Sequence, residues 1–404
     1  MILSRTLCTC LAAVSAPQGE GKKPLSSDAT FKMCFLKAAT REHNIHKMLR
    51  HSAVCREAIG FIGLGQMGAR MAPNLFRNAD VTAVHIYDVN RDSVENVRKQ
   101  IADVAKKQVV VHASPAAVAR HCKNIVTMLP NGKIVREVFY CPRTGIFQTM
   151  LPGTMVIDSS TIDPETPKEL CAVAATKGGS FIVDAPVSGG INAAAGATLT
   201  FMVGAENEEN FKRANTLLNA LGKNIFHCGK VGSGQVVKLC NNLILAQHMV
   251  AVSEAMLMGT KLGVDASTLA KVVNTSTGRC WTSEAYNPYP GVSPNVPSSR
   301  DYEGGFFSKL MLKDLGLAID AAEGAGMTVK GANNAKAMYE EHCQAAEWAS
   351  KDFSGIIKYI EGLKKLSAGG GGGHDDHGHG DHGHGGGDHG HGGGDHGHGG
   401  GGHH

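Results

Sequence analysis

Apolar residues in the first half of the chain come in short runs closed by glycine, proline or small polar residues. Ile59, Phe61 and Ile62 form one such run. Residues 84–87, 108–112, 124–129, 155–157 and 181–183 form others, with a helical pattern at 114–120 between two of them. Runs this short and this apolar predict strands covered on both faces, and their alternation with helices predicts βαβ units in a mainly parallel sheet. The pattern then changes. Residues 236–262 suit one extended helix, 267–275, 309–325 and 332–355 supply further helices, and 287–305 is a loop rich in proline and glycine. The expectation is an α/β domain over residues 56–228 followed by an all-α domain over 229–367. The apolar stretch 239–262 is interrupted by Asn241, Asn242, Gln247, His248, Ser253 and Glu254, so it reads as a buried helix and not as a membrane span.

Both ends differ from this body. Residues 1–55 are rich in Arg, Lys, Ser, Thr and Ala and hold only the acids Glu20, Asp28 and Glu42, which resembles a mitochondrial transit region and predicts the matrix as destination. A secretory signal over residues 1–14 is the rival. Residues 368–404 are almost wholly Gly, His and Asp and carry eleven of the 20 histidines of the chain. Glycine costs most to order and no large apolar side chain offsets it, so disorder is expected there. Imidazoles as closely spaced as His374, His377, His379, His382 and His384 could chelate nickel, zinc or copper, and a passive solvated tail is the alternative.

Composition narrows the class. The chain has 404 residues, 42% hydrophobic, with a net charge of +4 and no basic stretch, which argues against a nucleic-acid or membrane-surface partner. Its 11 cysteines are odd in number and irregularly spaced, without a CxxC pair, as expected of reduced thiols.

The first strand runs into Gly63, Gly65 and Gly68, a GxGxxG pattern. Gly63 permits the tight turn, Gly65 the approach of a pyrophosphate, and Gly68 the packing of the next helix, whose N-terminus near Gln66 offers N–H groups and a positive dipole end. The second strand ends at Asp88, 23 residues beyond Gly65, where a carboxylate can hold the adenine ribose and repel a 2′-phosphate. The combination predicts a Rossmann-type domain that binds NAD, although Arg91 could serve a phosphate. Further on, Gly229, Gly232 and Gly234 precede a helix on which Lys238 and Asn242 lie one turn apart on one face, among Val237, Leu239 and Leu243. A lysine in apolar surroundings has a lowered pKa suited to proton transfer, while most helix lysines are solvated surface residues.

GFIGLGQMG at 60–68, DSSTIDP at 158–164, DAPVSGG at 184–190, GSGQVVKLCNN at 232–242 and KDLGLA at 313–318 occur in register. Together with residues 277–292 and 301–306 they make the chain resemble the β-hydroxyacid dehydrogenase family, and within it the 3-hydroxyisobutyrate dehydrogenases, over roughly residues 58–360. The resemblance implies oxidation of 3-hydroxyisobutyrate with NAD, in valine breakdown, by a homodimer or homotetramer. It implies Lys238 as the catalytic proton acceptor. Ser188, Gly189, Gly190, Asn242 and Lys313 would bind substrate. Residues Gly63, Leu64, Gly65, Gln66, Met67, Gly68, Asp88, Leu129, Pro130, Thr161 and Lys313 would line the cofactor. Close relatives carry asparagine four residues after the proline, where this chain has Ile134. Two other readings remain: reduction of a different small aldehyde acid, such as succinic semialdehyde or glyoxylate, and a metal-binding protein acting through its tail.

Overall fold

Six strands of the first half lie side by side in parallel: β1 (Ile59–Ile62), β2 (Ala83–Tyr87), β3 (Gln108–Val111), β4 (Asn124–Thr127), β5 (Met155–Asp158) and β6 (Phe181–Asp184), in the order β3-β2-β1-β4-β5-β6. They belong to a computed structural model that describes residues 58–102 and 108–367. The expected targeting segment, residues 1–55, and the histidine tail with His374, His377, His379, His382 and His384 lie outside the described residues. Successive side chains leave a strand on opposite faces. Phe61, Val84, Ile86, Ile157 and Val183 enter one core; Ile62, Ile125, Val156 and Ile182 enter the other. Helices α1 (Gly68–Asn78), α2 (Arg91–Ala102), α3 (Pro115–Ala119), α4 (Gly132–Tyr140) and α5 (Glu165–Ala175) make the crossovers. Strand order reverses at β1, between β2 and β4, so the glycine loop leaves the sheet at a topological switch point, where such sheets bind ligands.

The sheet continues beyond what the apolar runs predict. β7 (Val187–Ser188), α6 (Gly190–Ala195), β8 (Leu199–Gly204), α7 (Glu208–Leu218) and β9 (Gly222–Gly229) follow, with β8 antiparallel to β6 and β7 and parallel to β9. β9 exposes Lys223, Asn224 and Phe226 and is a strand because it pairs with β8, not because its side chains alternate.

The 29-residue α8 (Ser233–Lys261) spans about 44 Å. By length and composition alone it could cross a membrane. Its inward face holds Gln235, Asn242 and Ser253, all buried and hydrogen-bonded, which is the character of a core helix. After it come α9 (Ala266–Asn274), α10 (Trp281–Ala285), α11 (Ser308–Gly324), α12 (Lys330–His342), α13 (Ala346–Ala349) and α14 (Ile356–Ser367). Ala246 and Met249 of α8 pack with Met311, Leu315, Ala335 and Tyr339 of α11 and α12. The helical reading of 332–355 is corrected: the helix stops at His342, and the chain turns so that Asp352 enters the interior. There Asp352 accepts from Tyr286 Oη at 3.0 Å, from the Phe306 N–H at 2.7 Å and from Ser354 Oγ at 2.6 Å, pinning the proline- and glycine-rich loop. The described residues up to Ile360 form one compact unit, and Glu361 begins a second segment.

Candidate active site

The glycine loop has the shape the motif requires. Gly63 has φ +96°, and a Cβ there would overlap the Met128 carbonyl oxygen. A Cβ on Gly68 would overlap the Gly63 carbonyl oxygen, so α1 starts as close to the strand as a backbone allows. At Gly65 nothing lies within 4 Å of where a Cβ would stand, which leaves the space a pyrophosphate needs. The helix begins at Gly68, two residues later than expected, with Met67 as its cap. Gln66 is exposed and Met67 half-buried. Leu64 does a different job from its neighbours. Its side chain is in the core, and its N–H donates to Asp88 Oδ2 at 2.5 Å. The Asn90 N–H donates to Asp88 Oδ1 at 2.7 Å. Asp88 is thus fixed at the end of β2 beside the loop, with further lone pairs for hydroxyl donors. Leu129 and Pro130 follow β4; the Leu129 N–H donates to Ser160 Oγ at 2.8 Å, and Leu129 Cδ2 lies next to Gly63. These residues fit a dinucleotide.

A second group gathers where β5 and α8 meet α11. Lys238 is only 8% exposed, against the ordinary solvated state of a helix lysine. Burial lowers its pKa, the Asp314 carboxylate pulls it back up, and the Lys313 charge lowers it further. No hydrogen bond or ion pair holds the Lys238 ammonium among the described residues. One turn on, Asn242 Nδ2 donates to Asp314 Oδ2 at 2.5 Å. Lys313 Nζ lies 3.1 Å from Asp314 Oδ1 and donates to the Thr161 carbonyl oxygen at 2.6 Å. Asn242 and Lys313 therefore share one buried carboxylate, whose charge also acts on Lys238, and Lys313 ties α11 to the loop after β5.

The start of α8 is fixed from the sheet side. Asp184, at the end of β6, accepts from the Gly232 N–H at 2.7 Å and the Gln235 N–H at 3.0 Å, satisfying free N–H groups at the helix N-terminus. Burial pushes its pKa up to about 7. The Gln235 side chain donates to the Ser160 carbonyl oxygen at 2.8 Å and accepts from the Ile162 N–H at 3.1 Å, so it grips both sides of Thr161. Asp158, wholly buried beside Asp184 in the sheet, accepts from Thr127 Oγ1 at 2.7 Å and Ser160 Oγ at 2.6 Å, and burial raises its pKa. Ser188 ends β7. Gly189 and Gly190 both have positive φ, and the position of a Cβ on Gly190 is open, as an anion-binding backbone segment needs. Among the described residues no hydrogen bond or ion pair joins residues 188–190 to Lys238, Asn242, Lys313 or Asp314.

Asp314, Asp184, Asp158 and Gln235 were not assigned to the site by the sequence. Their signal was present: each is a polar residue within or at the end of an apolar run, and such a residue is buried only with partners. What the pattern lacked was the identity of those partners, which lie as many as 75 residues away.

Residues 58–229 match the family model described as the NAD-binding domain of 6-phosphogluconate dehydrogenase, and residues 232–360 match that described as NAD-binding of NADP-dependent 3-hydroxyisobutyrate dehydrogenase. A probable mitochondrial 3-hydroxyisobutyrate dehydrogenase of Dictyostelium discoideum is 47% identical over 304 residues, 75% of this chain and 91% of that protein. The mitochondrial 3-hydroxyisobutyrate dehydrogenase of Bos taurus is 44% identical over 309 residues, 76% of this chain and 88% of its own. Among solved structures, a Mycobacterium tuberculosis 3-hydroxyisobutyrate dehydrogenase with L-serine is 36% identical with a TM-score of 0.68, covering 75% of this chain and 99% of that one. With a dinucleotide loop at a switch point, a buried lysine one turn from Asn242 and under the charges of Lys313 and Asp314, and relatives that match across both halves, the chain belongs to the 3-hydroxyisobutyrate dehydrogenase family.

Proposed function

We propose that the chain oxidises the primary alcohol of 3-hydroxyisobutyrate to methylmalonate semialdehyde with NAD, in the mitochondrial matrix and in valine breakdown. The observation that carries this reading is the buried Lys238, with its lowered pKa, beside Asn242 and the Lys313–Asp314 pair. Residues 56–228 hold the cofactor and 229–367 complete the substrate site and carry the contacts of a homodimer or homotetramer. An exposed apolar stripe on α8, including Val237, Ile244 and Met258, supports that assembly. The mitochondrial names of the relatives support the compartment.

In this reading Ser188, Gly189 and Gly190, with Lys313, anchor the substrate carboxylate. Asn242 orients the hydroxyl toward Lys238, whose neutral amine takes the hydroxyl proton as the carbon is oxidised. NAD, held by residues 63–68, Asp88, Leu129, Pro130 and Thr161, supplies the hydride acceptor. Lys313 and Asp314 keep the charge around Lys238 balanced and align the helical half with the Thr161 loop.

Rates with 3-hydroxyisobutyrate, 3-hydroxypropionate, 4-hydroxybutyrate, glycolate and glycerate, each with NAD and NADP, test the substrate. Preference for 3-hydroxyisobutyrate is expected, with kcat falling about 10²- to 10⁴-fold in Lys238→Ala while NAD affinity holds. Preference for another acid moves the reaction to a different aldehyde acid, and unchanged turnover in Lys238→Ala removes that residue from the chemistry. NADP use is the second reading, favoured by the NADP-dependent description of the model that matches residues 232–360. Asp88→Ala separates the two. Loss of charged hydrogen bonds to the ribose weakens NAD about 10- to 100-fold and narrows its margin over NADP, whereas an unchanged preference takes that role from Asp88.

A further inference from the structure

Three histidines outside the candidate active site meet at the far edge of the sheet. Val84 and Ile86 of β2 point into one core, so the intervening His85 faces the other side, where it is 9% exposed. His112 follows the edge strand β3, and its N–H donates to the Ile86 carbonyl oxygen at 3.0 Å, which prolongs the pairing. His121 follows α3. That helix lies close on the sheet because Gly60 beneath it has no side chain: a Cβ there would stand 2.5 Å from Val118 Cγ1. The three rings stack, with centroids 4.9 Å apart for His85 and His112, 5.1 Å for His112 and His121, and 5.7 Å for His85 and His121. One ring nitrogen from each lies within 4.8 Å of the others.

The protonation pattern suits ligands. His121 Nδ1 is 2.8 Å from the Ala117 carbonyl oxygen. A carbonyl only accepts, so this nitrogen carries a proton, and in the neutral ring Nε2 is the atom left to bind a cation. His85 Nδ1 and His112 Nε2 are 2.7 Å apart and share a single proton. No carboxylate pairs with any of the three among the described residues. Three imidazoles whose ring nitrogens crowd together with no acid among them share one chemistry, coordination of a borderline divalent cation. Metal–nitrogen bonds of about 2.0–2.1 Å place tetrahedral ligands about 3.3 Å apart. Coordination requires the rings to rotate to that spacing, with the cation replacing the proton between His85 and His112 and water completing the fourth position.

We propose that His85, His112 and His121 form a three-imidazole site for a divalent transition-metal ion, with zinc as the probe, separate from the site of hydride transfer. β2 lies three strands from β5, about 14 Å at the spacing of strands in a sheet, so this ion takes no part in the chemistry at Lys238.

The test uses the full chain, with its eleven tail histidines present in every protein so that differences between variants report on this site alone. His112→Gln and His121→Gln each remove one ligand, and His121 is exposed, so its replacement leaves the core in place. Zinc is expected to raise the Tm of the parent by about 2–4 °C, an effect lost in both variants. Crystals soaked in zinc are expected to show anomalous scattering at the zinc edge between the three rings. An equal Tm rise in parent and variants, no rise in any of them, or zinc scattering only away from these rings would overturn the proposal.

Discussion

Lys238 shows how far a residue's chemistry depends on neighbours distant in sequence. On its helix it is one lysine among apolar residues, a pattern that also fits a surface position. Buried, it is governed by Asp314, whose charge favours the ammonium, and by Lys313, whose charge opposes it. Asp314→Asn keeps the shape and an acceptor for Asn242 but removes the negative charge. The Lys238 pKa then falls further. In the proposed mechanism the neutral amine takes the proton, so the acidic limb of kcat against pH is expected to move to lower pH, while KM for NAD stays near that of the parent. A limb that does not move would show that Asp314 serves packing alone. Asp314 stands directly after Lys313 in the sequence, but its contact with Asn242 spans 72 residues, and no spacing rule supplies that distance.

Elements defined by local chemistry were the legible ones. β1, its glycine loop and α1 follow from residues within one turn of each other, and the Ser114 cap with Pro115 behind it starts α3 as a capping rule demands. β9 and the break after His342 follow from distant partners, β8 in one case and the groups around Asp352 in the other. The start of α8 combines both kinds of cause. Gly232 at φ +93° turns the chain, while Gly234 packs so tightly on β8 that a Cβ would overlap the Met202 carbonyl oxygen and crowd Asp184. Gly234→Ala is therefore expected to destabilise the protein by about 1–3 kcal/mol in denaturant unfolding, although alanine is the better helix former. A stability equal to or above that of the parent would mean that helix propensity outweighs packing there.

At the scale of the whole molecule, buried titratable groups set how stability follows pH. His342 is 3% exposed, against Trp348 and Tyr359, with no hydrogen-bond partner for Nε2 among the described residues; burial lowers its pKa from 6.5 to about 4. The unfolded chain takes up this proton near 6.5 and the folded chain near 4. The contribution to stability is thus present above the first value and lost as pH falls through the second. Asp184 acts in the opposite sense: ionising at about 7 when folded and near 3.8 when unfolded, it contributes below the lower value and loses that contribution as pH rises toward 7. His342→Phe is expected to flatten the fall of Tm between about pH 7 and about pH 4. An unchanged fall would place the acid sensitivity elsewhere, with His85 the next group to replace.

The sequence by itself determined the βαβ alternation, the dinucleotide loop with Asp88 at the end of the next strand, and the placing of Lys238 and Asn242 on one helical face. Each depends on backbone sterics or helical period over a few residues. Tertiary structure alone decided that Lys238 is buried, that Asp314 joins Asn242 to Lys313, that Gln235 grips the Thr161 loop, and that His85, His112 and His121 meet. These are matters of desolvation and of contact between segments brought together by the sheet, and burial and charge at a point in space are properties of the packed chain, not of any stretch within it.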